Sequence, residues 1–245
     1  MIKSFQPVLK LVIIVSIWTL GCGDSRNSNA QNDPSWQKEF NLSERTLVPT
    51  GRSNYFILEP GFQLVLEGTG GFLGMTDEKL VITVLDETKE INGITTRVME
   101  EREWKNKELY EVSRNFFAID NETGDVFYFG EEVDFYKGGK VVNHKGAWLV
   151  GENDATAGLA IPGKPKVGMK YYQEISPGKA MDRAEVIDIA HTLETPAGTF
   201  SKCLKTKEGS ALKLYEKEYK SYAPGIGIIQ DQNLYLTEYG FVENY

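Results

Sequence analysis

Glu90-Ile91-Asn92-Gly93-Ile94-Thr95 is the stretch whose reading decides the fold of this chain. Asn and Gly tolerate positive φ better than other residues, so Asn92-Gly93 between β-prone neighbours predicts a type I′ turn closing an antiparallel hairpin. Upstream, Phe62-Gln63-Leu64-Val65-Leu66 and Leu80-Val81-Ile82-Thr83-Val84-Leu85 are short β-rich runs. Downstream, the pattern repeats. Lys105-Asn106-Lys107 joins a further pair, and Asp120-Asn121-Glu122-Thr123-Gly124-Asp125 predicts a longer hairpin loop with Gly124 in the left-handed position. Gly138-Gly139 joins Val133-Asp134-Phe135-Tyr136 to Lys140-Val141-Val142. Gly168 to Ile175 predicts another strand, stopped by Pro177-Gly178, and three more follow near 182–191, 199–207 and 212–222. The expectation is an all-β fold, an antiparallel meander forming a curved sheet or half-open barrel. It contains at most one short helix, a turn or two around Lys179–Glu185.

The N-terminus predicts an address. Lys3 and Lys10 flank a positive start, Leu11 to Leu20 form an apolar run too short to span a bilayer, and Gly21-Cys22 follows. This is the pattern of a bacterial lipoprotein signal peptide over residues 1–21, with diacylglycerol attached to the Cys22 sulfur and a further acyl chain, such as palmitate, on the new N-terminus. Two or three chains give stable anchoring on a membrane without spanning it. Residues 23–35 are polar and rich in turn formers, so 22–53 reads as a lipid-anchored tether and lead-in. A coil of this length reaches roughly 20 Å. A single β domain is expected over 54–245. Gly23, rather than Asp, follows the cysteine, which favours the outer membrane, facing the periplasm.

Removing residues 1–21 takes away Lys3 and Lys10 and moves the formal charge from −8 to −10. Such a chain repels phosphate backbones, so nucleic acid is not an expected partner. With Cys22 lipidated, Cys203 has no disulfide partner. Strand alternation over 199–206 would place Phe200, Lys202 and Leu204 on one face and Ser201, Cys203 and Lys205 on the other.

Motifs for chemistry are sparse. No metal site is expected, because Cys-x-x-Cys, His-x-His and His-Glu-x-x-His are all missing, and the Asp120–Asp125 loop lacks EF-hand spacing. No cofactor is expected either: Gly68 to Gly74 lacks the Lys-Ser/Thr of a phosphate loop, and Gly225-Ile226-Gly227 lacks the third glycine of a dinucleotide fingerprint. Only His144 and His191 could serve as imidazole bases, and no Gly-x-Ser-x-Gly elbow accompanies them. Glu100-Glu101 and Glu131-Glu132 are adjacent pairs that a strand would split between its two faces. Glu174, Asp182 and Glu185 could meet at one rim around Pro177-Gly178. Aromatic residues cluster on neighbouring predicted strands, and both faces of the sheet receive rings there. A groove lined by Tyr128, Trp148 and Tyr172, with Glu174, Asp182 and Arg183 as polar rim groups, is the candidate ligand site.

Several blocks carry a family resemblance. They are Asn54-Tyr55-Phe56-Ile57-Leu58-Glu59-Pro60-Gly61, Asp125 to Glu132, Ala147-Trp148-Leu149-Val150-Gly151 and Pro165 to Glu174. Pro196-Ala197-Gly198-Thr199-Phe200 and Tyr222-Ala223-Pro224-Gly225-Ile226-Gly227 complete the set. Over roughly residues 54–242 the chain resembles bacterial exported proteins grouped as hypothetical lipoproteins. The last two motifs are similar to those of periplasmic, lipoprotein-carrier-like half-open barrels. That resemblance implies an antiparallel sheet curled around an apolar groove and no catalytic residue. The expected function is therefore an envelope lipoprotein that binds or carries an apolar or envelope ligand (a lipid, a polymer or a protein). The alternatives are an envelope hydrolase using a rim carboxylate pair, with two inward carboxylates, and a pocketless interaction protein, with a filled interior.

Overall fold

The computed structural model describes residues 35–71 and 74–243. The expected signal peptide, Cys22 and nearly all of residues 23–35 lie outside the described residues, as do Phe72 and Leu73.

A 3₁₀ turn, Leu42–Glu44, leads into β1 (Leu47–Val48), β2 (Gly51–Ser53) and β3 (Phe56–Leu58). Five long strands follow: β4 (Phe62–Gly70), β5 (Thr76–Ile91), β6 (Ile94–Lys105), β7 (Glu108–Asp120) and β8 (Val126–Lys137). Short pieces come next: β9 (Lys140–Asn143), β10 (Trp148–Leu149), β11 (Thr156–Ile161), β12 (Lys170–Tyr172) and β13 (Glu174–Ile175). The chain then returns to long strands with β14 (Asp182–Thr195), β15 (Gly198–Ser210) and β16 (Lys213–Ala223), closing on β17 (Gly227–Asp231) and β18 (Leu234–Phe241).

The main sheet runs β12-β14-β15-β16-β17-β18-β4-β5-β6-β7-β8-β11-β13. It is the expected antiparallel meander, curled until it nearly closes into a barrel with one seam. β18 pairs with β4, Leu236 opposite Leu66, and so joins the last strand to the first long one. The two seam edges, β12 and β13, are consecutive in the chain. Lys170–Tyr172 pairs with β14, Glu174–Ile175 pairs with β11, and Gln173 alone spans the gap, its N–H donating to Asp182 O at 2.8 Å. A covalent step thus does at the seam what a hydrogen-bond ladder does elsewhere.

The turns follow their chemistry. Asn92 and Gly93 stand at φ 49° and 79° between paired Ile91 and Ile94, and Asn106, Lys107, Gly138 and Gly139 also adopt positive φ at two-residue turns. Three expectations need correction. There is no helix at Lys179–Glu185: Ser176 bridges Ala180, and Asp182 begins a strand because Ala184 and Val186 must point inward. The strand expected over 168–175 is split at Gln173. Around Cys203, Lys202 sits at φ 55° and shifts the alternation, so Cys203 and Leu204 are both fully buried instead of facing opposite ways. A left-handed residue rotates the strand and re-aims its side chains.

The folded body also begins ahead of Asn54. Trp36, Phe40, Leu42, Leu47 and Val48 pack against the core, and Gln37 bridges to Tyr171. Arg45 fastens this lead-in, donating to Phe40 O at 2.8 Å and pairing with Asp120 at 2.6 Å and Asp125 at 3.0 Å. Phe127 explains why the lead-in stays. It points outward from β8 yet is wholly buried, edge-on to Phe40 and beneath the Arg45 guanidinium. Burying such a ring contributes about 2–3 kcal/mol. From Trp36 onward the body has its own core and a sheet that pairs within itself.

Candidate functional site

Strand alternation determines what the barrel encloses. β4 and β5 turn Phe62, Leu64, Leu80, Ile82 and Val84 inward, and Phe56 and Phe117 extend this apolar wall. On the other strands of the lining, beginning with β6 beside β5, inward positions become acidic. β6 presents Glu101, β7 Glu111, β8 Glu131, β13 Glu174, β14 Asp182, β15 Glu208 and β17 Asp231. Between the two walls lies a cavity of about 250 Å³.

Among the described residues Lys220 on β16 is the one basic side chain in this lining, with its Nζ 3.4 Å from Glu208 Oε2 and 3.6 Å from Asp231 Oδ2. Burial works against its ammonium, but Asp231 and Glu208 more than offset that and hold the proton firmly. Glu208 also accepts from Thr206 Oγ1 at 2.7 Å and from the Tyr222 hydroxyl at 3.2 Å. On the other side Tyr128 donates to Asn115 Oδ1, and Asn115 Nδ2 donates to Ser113 Oγ at 3.0 Å.

The remaining carboxyls are poorly compensated. Burial pushes the Glu101 pKa up to about 7, with Lys220 pulling the other way and Glu103 and Asp231 adding to the rise. Glu111, Glu131, Glu174 and Asp182 are raised as well, first by burial and then, for most of them, by one another's charge. For Asp182 a hydrogen bond from Ser210 opposes the rise. Asp231 is raised by burial against the pull of Lys220. Low dielectric disfavours an ionised carboxylate, and like charges across a small space disfavour it further. Among the described residues two carboxyl oxygens are shut off from solvent without any hydrogen-bond partner, Glu111 Oε2 and Asp231 Oδ1.

Of the residues expected to form the site, Tyr128, Glu174 and Asp182 line the cavity. Trp148 lies behind the lining. It pairs with Glu131 and so shares its inner face, packing edge-on to Tyr128 at 5.4 Å, and its indole Nε1 has no hydrogen-bond partner. Tyr172 and Arg183 are cross-strand partners on the outer face, where Trp36 covers them: the Tyr172 ring lies 6.3 Å from the indole and the Arg183 guanidinium 4.4 Å. The trio Glu174, Asp182 and Glu185 does not assemble, since Glu185 points outward to Lys207 and Lys170. The adjacent pairs do split as strand geometry requires. Glu100 pairs with Arg102 at 2.6 Å and Glu132 with Lys89, both on the outside, leaving Glu101 and Glu131 to meet within.

Sequence reasoning missed Glu101, Glu111, Glu131, Glu208, Lys220 and Asp231 as a group. The signal that could have found them is parity: 99, 101 and 103, or 111, 113, 115 and 117, counted from the turns that flank them. Away from the cavity, His144 lies 2.7 Å from Asp134 and is largely exposed, while His191 stands opposite the buried Cys203. The Asp120 carboxylate accepts from the N–H groups of Glu122 and Thr123, as a hairpin loop needs. Among the described residues no three His, Cys, Asp or Glu side chains are placed to hold a metal ion.

No family model and no curated protein matches the chain. Among solved structures it is similar to a protein of Parabacteroides distasonis described as a "putative lipoprotein", at 13% identity and a TM-score of 0.37, over 78% of this chain and 100% of that one.

Proposed function

We propose that this chain is a lipid-anchored protein of the bacterial envelope whose barrel binds a small ligand in its interior. One observation carries the binding reading: the sheet curls around a cavity, apolar on β4 and β5 and with carboxyls on seven other strands, that its own side chains leave open. Enclosed sites with an apolar wall and a few convergent polar groups are the usual form of small-molecule sites. The anchor reading rests on Leu11 to Cys22, and Gly23 favours the outer membrane and its periplasmic face. The likeness of Pro196–Phe200 and Tyr222–Gly227 to motifs of carrier-like half-open barrels belongs to the same reading.

Native mass spectrometry of residues 36–245, exported and purified without detergent, tests the binding reading. The expected result is a discrete extra mass that solvent extraction removes; a clean apo mass at every preparation counts against it. Radiolabelled palmitate tests the anchor. Label is expected on the wild-type chain and not on Cys22→Ala, and label that persists in the variant removes Cys22 as the acylated residue.

A second reading, an envelope hydrolase, draws on the same inward carboxyls, since a general acid needs a raised pKa near an ionised partner. It predicts turnover of aryl glycosides or aryl esters that Glu101→Gln or Glu131→Gln abolishes. The binding reading predicts no turnover.

A further inference from the structure

We infer that the cavity takes an organic cation, a protonated amine bearing a short apolar group. This rests on the binding reading above and gives it a ligand class.

The lining sets the sign of the ligand's charge. Among the described residues seven strands each contribute one carboxyl to the cavity and a single lysine answers them, a shortfall of positive charge that Glu111 and Glu131 meet by keeping protons. A carboxylate, phosphate or sulfate ligand would add negative charge to a space already short of positive charge. A neutral hydrocarbon would satisfy the β4 and β5 wall alone. It would leave Asp231, whose Oδ1 has no hydrogen-bond partner, and the other inward carboxyls beside a group with no charge and nothing to donate. Buried acceptors without donors cost more than most contacts return. An ammonium supplies up to three N–H donors together with the missing charge.

The protein itself shows that an ammonium fits this wall. Lys220 Nζ stands 3.4 Å from Glu208 and 3.6 Å from Asp231, an intramolecular example of the proposed contact. It engages Asp231 through Oδ2 and leaves Oδ1 of the same carboxyl without a partner. A bare metal ion is the poorer candidate, because no three acidic side chains converge on one point among the described residues. The apolar wall calls for a ligand that is hydrophobic at its other end, and about 250 Å³ limits that end to a short chain or one ring.

The test is calorimetric titration of residues 36–245 at pH 7.5 with three molecules of one shape: hexylamine, hexanol and hexanoate. Hexylamine is expected to bind at least about tenfold more tightly than hexanol, with hexanoate not binding, as a site built around buried polar groups discriminates. Asp231→Asn keeps the shape and removes the charge. It is expected to weaken hexylamine at least about fivefold and leave hexanol unchanged, with Glu101→Gln, at a carboxyl mostly ionised at that pH, behaving alike. Thermal melts establish that each variant is folded, and whichever is folded decides the matter. Hexanol or hexanoate binding as tightly as hexylamine overturns the inference. So does hexylamine failing to bind, or variants that treat amine and alcohol alike. A neutral or anionic co-purifying ligand in the native spectrum, with hexylamine inert, would sink the amine class and leave the binding module standing.

Discussion

Glu101 shows how one side chain can oppose the fold that holds it. Its carboxyl faces inward from β6, where burial pushes its pKa up to about 7. At pH 8 the folded protein therefore either ionises a buried group or keeps a proton that the unfolded chain would have released. Glutamine has the same shape and no charge to bury. Glu101→Gln is expected to stabilise the protein at pH 8 by about 2 kcal/mol, shrinking to nothing near pH 4.5, as denaturant titrations at the two pH values would show. No gain at pH 8 would mean that Glu101 is better solvated than its place in the barrel implies. The residue was hard to recognise in the sequence for a physical reason. Glu100-Glu101-Arg102-Glu103 is charged at every position, so hydrophobic alternation gives no hint of which face turns inward. Hydrophobicity being silent, the face shows only by counting from the flanking turns or in the pairing of Glu101 with Ser113 and Ile82.

At the level of strands, the seam depends on a missing side chain. Gly158 in β11 lies so close to the chain crossing at Gln173 that a Cβ there would stand 2.2 Å from Gln173 O. Backbone on that side cannot yield as a flexible side chain would. Gly158→Ala is therefore expected to cost about 3 kcal/mol, seen as a lower denaturation midpoint, and to displace neighbouring Glu174 from the cavity. Wild-type stability in that variant would mean the seam is loose. The strands themselves were largely legible, because Asn92-Gly93, Lys105-Asn106-Lys107 and Gly138-Gly139 fix where each hairpin turns and strand length follows. The crossing at Gln173 and the shift at Lys202 were not. Each depends on what lies across the sheet rather than on neighbours in sequence, and neither residue type advertises it. The lead-in was misplaced for the same reason: Trp36 and Phe40 fall in the stretch read as tether and lead-in, 22–53, until the outward faces of β8 and β12 show what they cover.

For the whole barrel the buried acids set how stability varies with pH. Glu101 and Glu218, each raised to about 7, and Glu111 and Glu131, raised further, bind protons in the folded state that the unfolded chain releases near 4.5. Stability is therefore full below about pH 4.5 on their account and is lost as pH rises toward and through 7. Glu185, lowered by Lys207, and Asp120 act in reverse. At Asp120 burial is overcome by the Glu122 N–H, Arg45 and Thr123. Their contribution is present above the usual carboxylate range and disappears as pH falls through their depressed values. The two sets together place the optimum near pH 4–5. The melting temperature is expected to fall by about 5 °C or more between pH 5 and pH 8, and a rise over that interval would contradict the burial of these carboxyls.

The same inward acids bear on how the molecule meets its surroundings. The formal charge of −8 counts every carboxyl as if it faced water, yet Glu111 and Glu131, pushed up to about 9 and about 8, keep protons at neutral pH. In an electric field the folded protein should migrate as a weaker acid than its composition suggests and focus above the sequence value of about 5.0. Unfolding would release the hidden charge. A bilayer surface would then repel the native barrel far less than it repels the same chain unfolded.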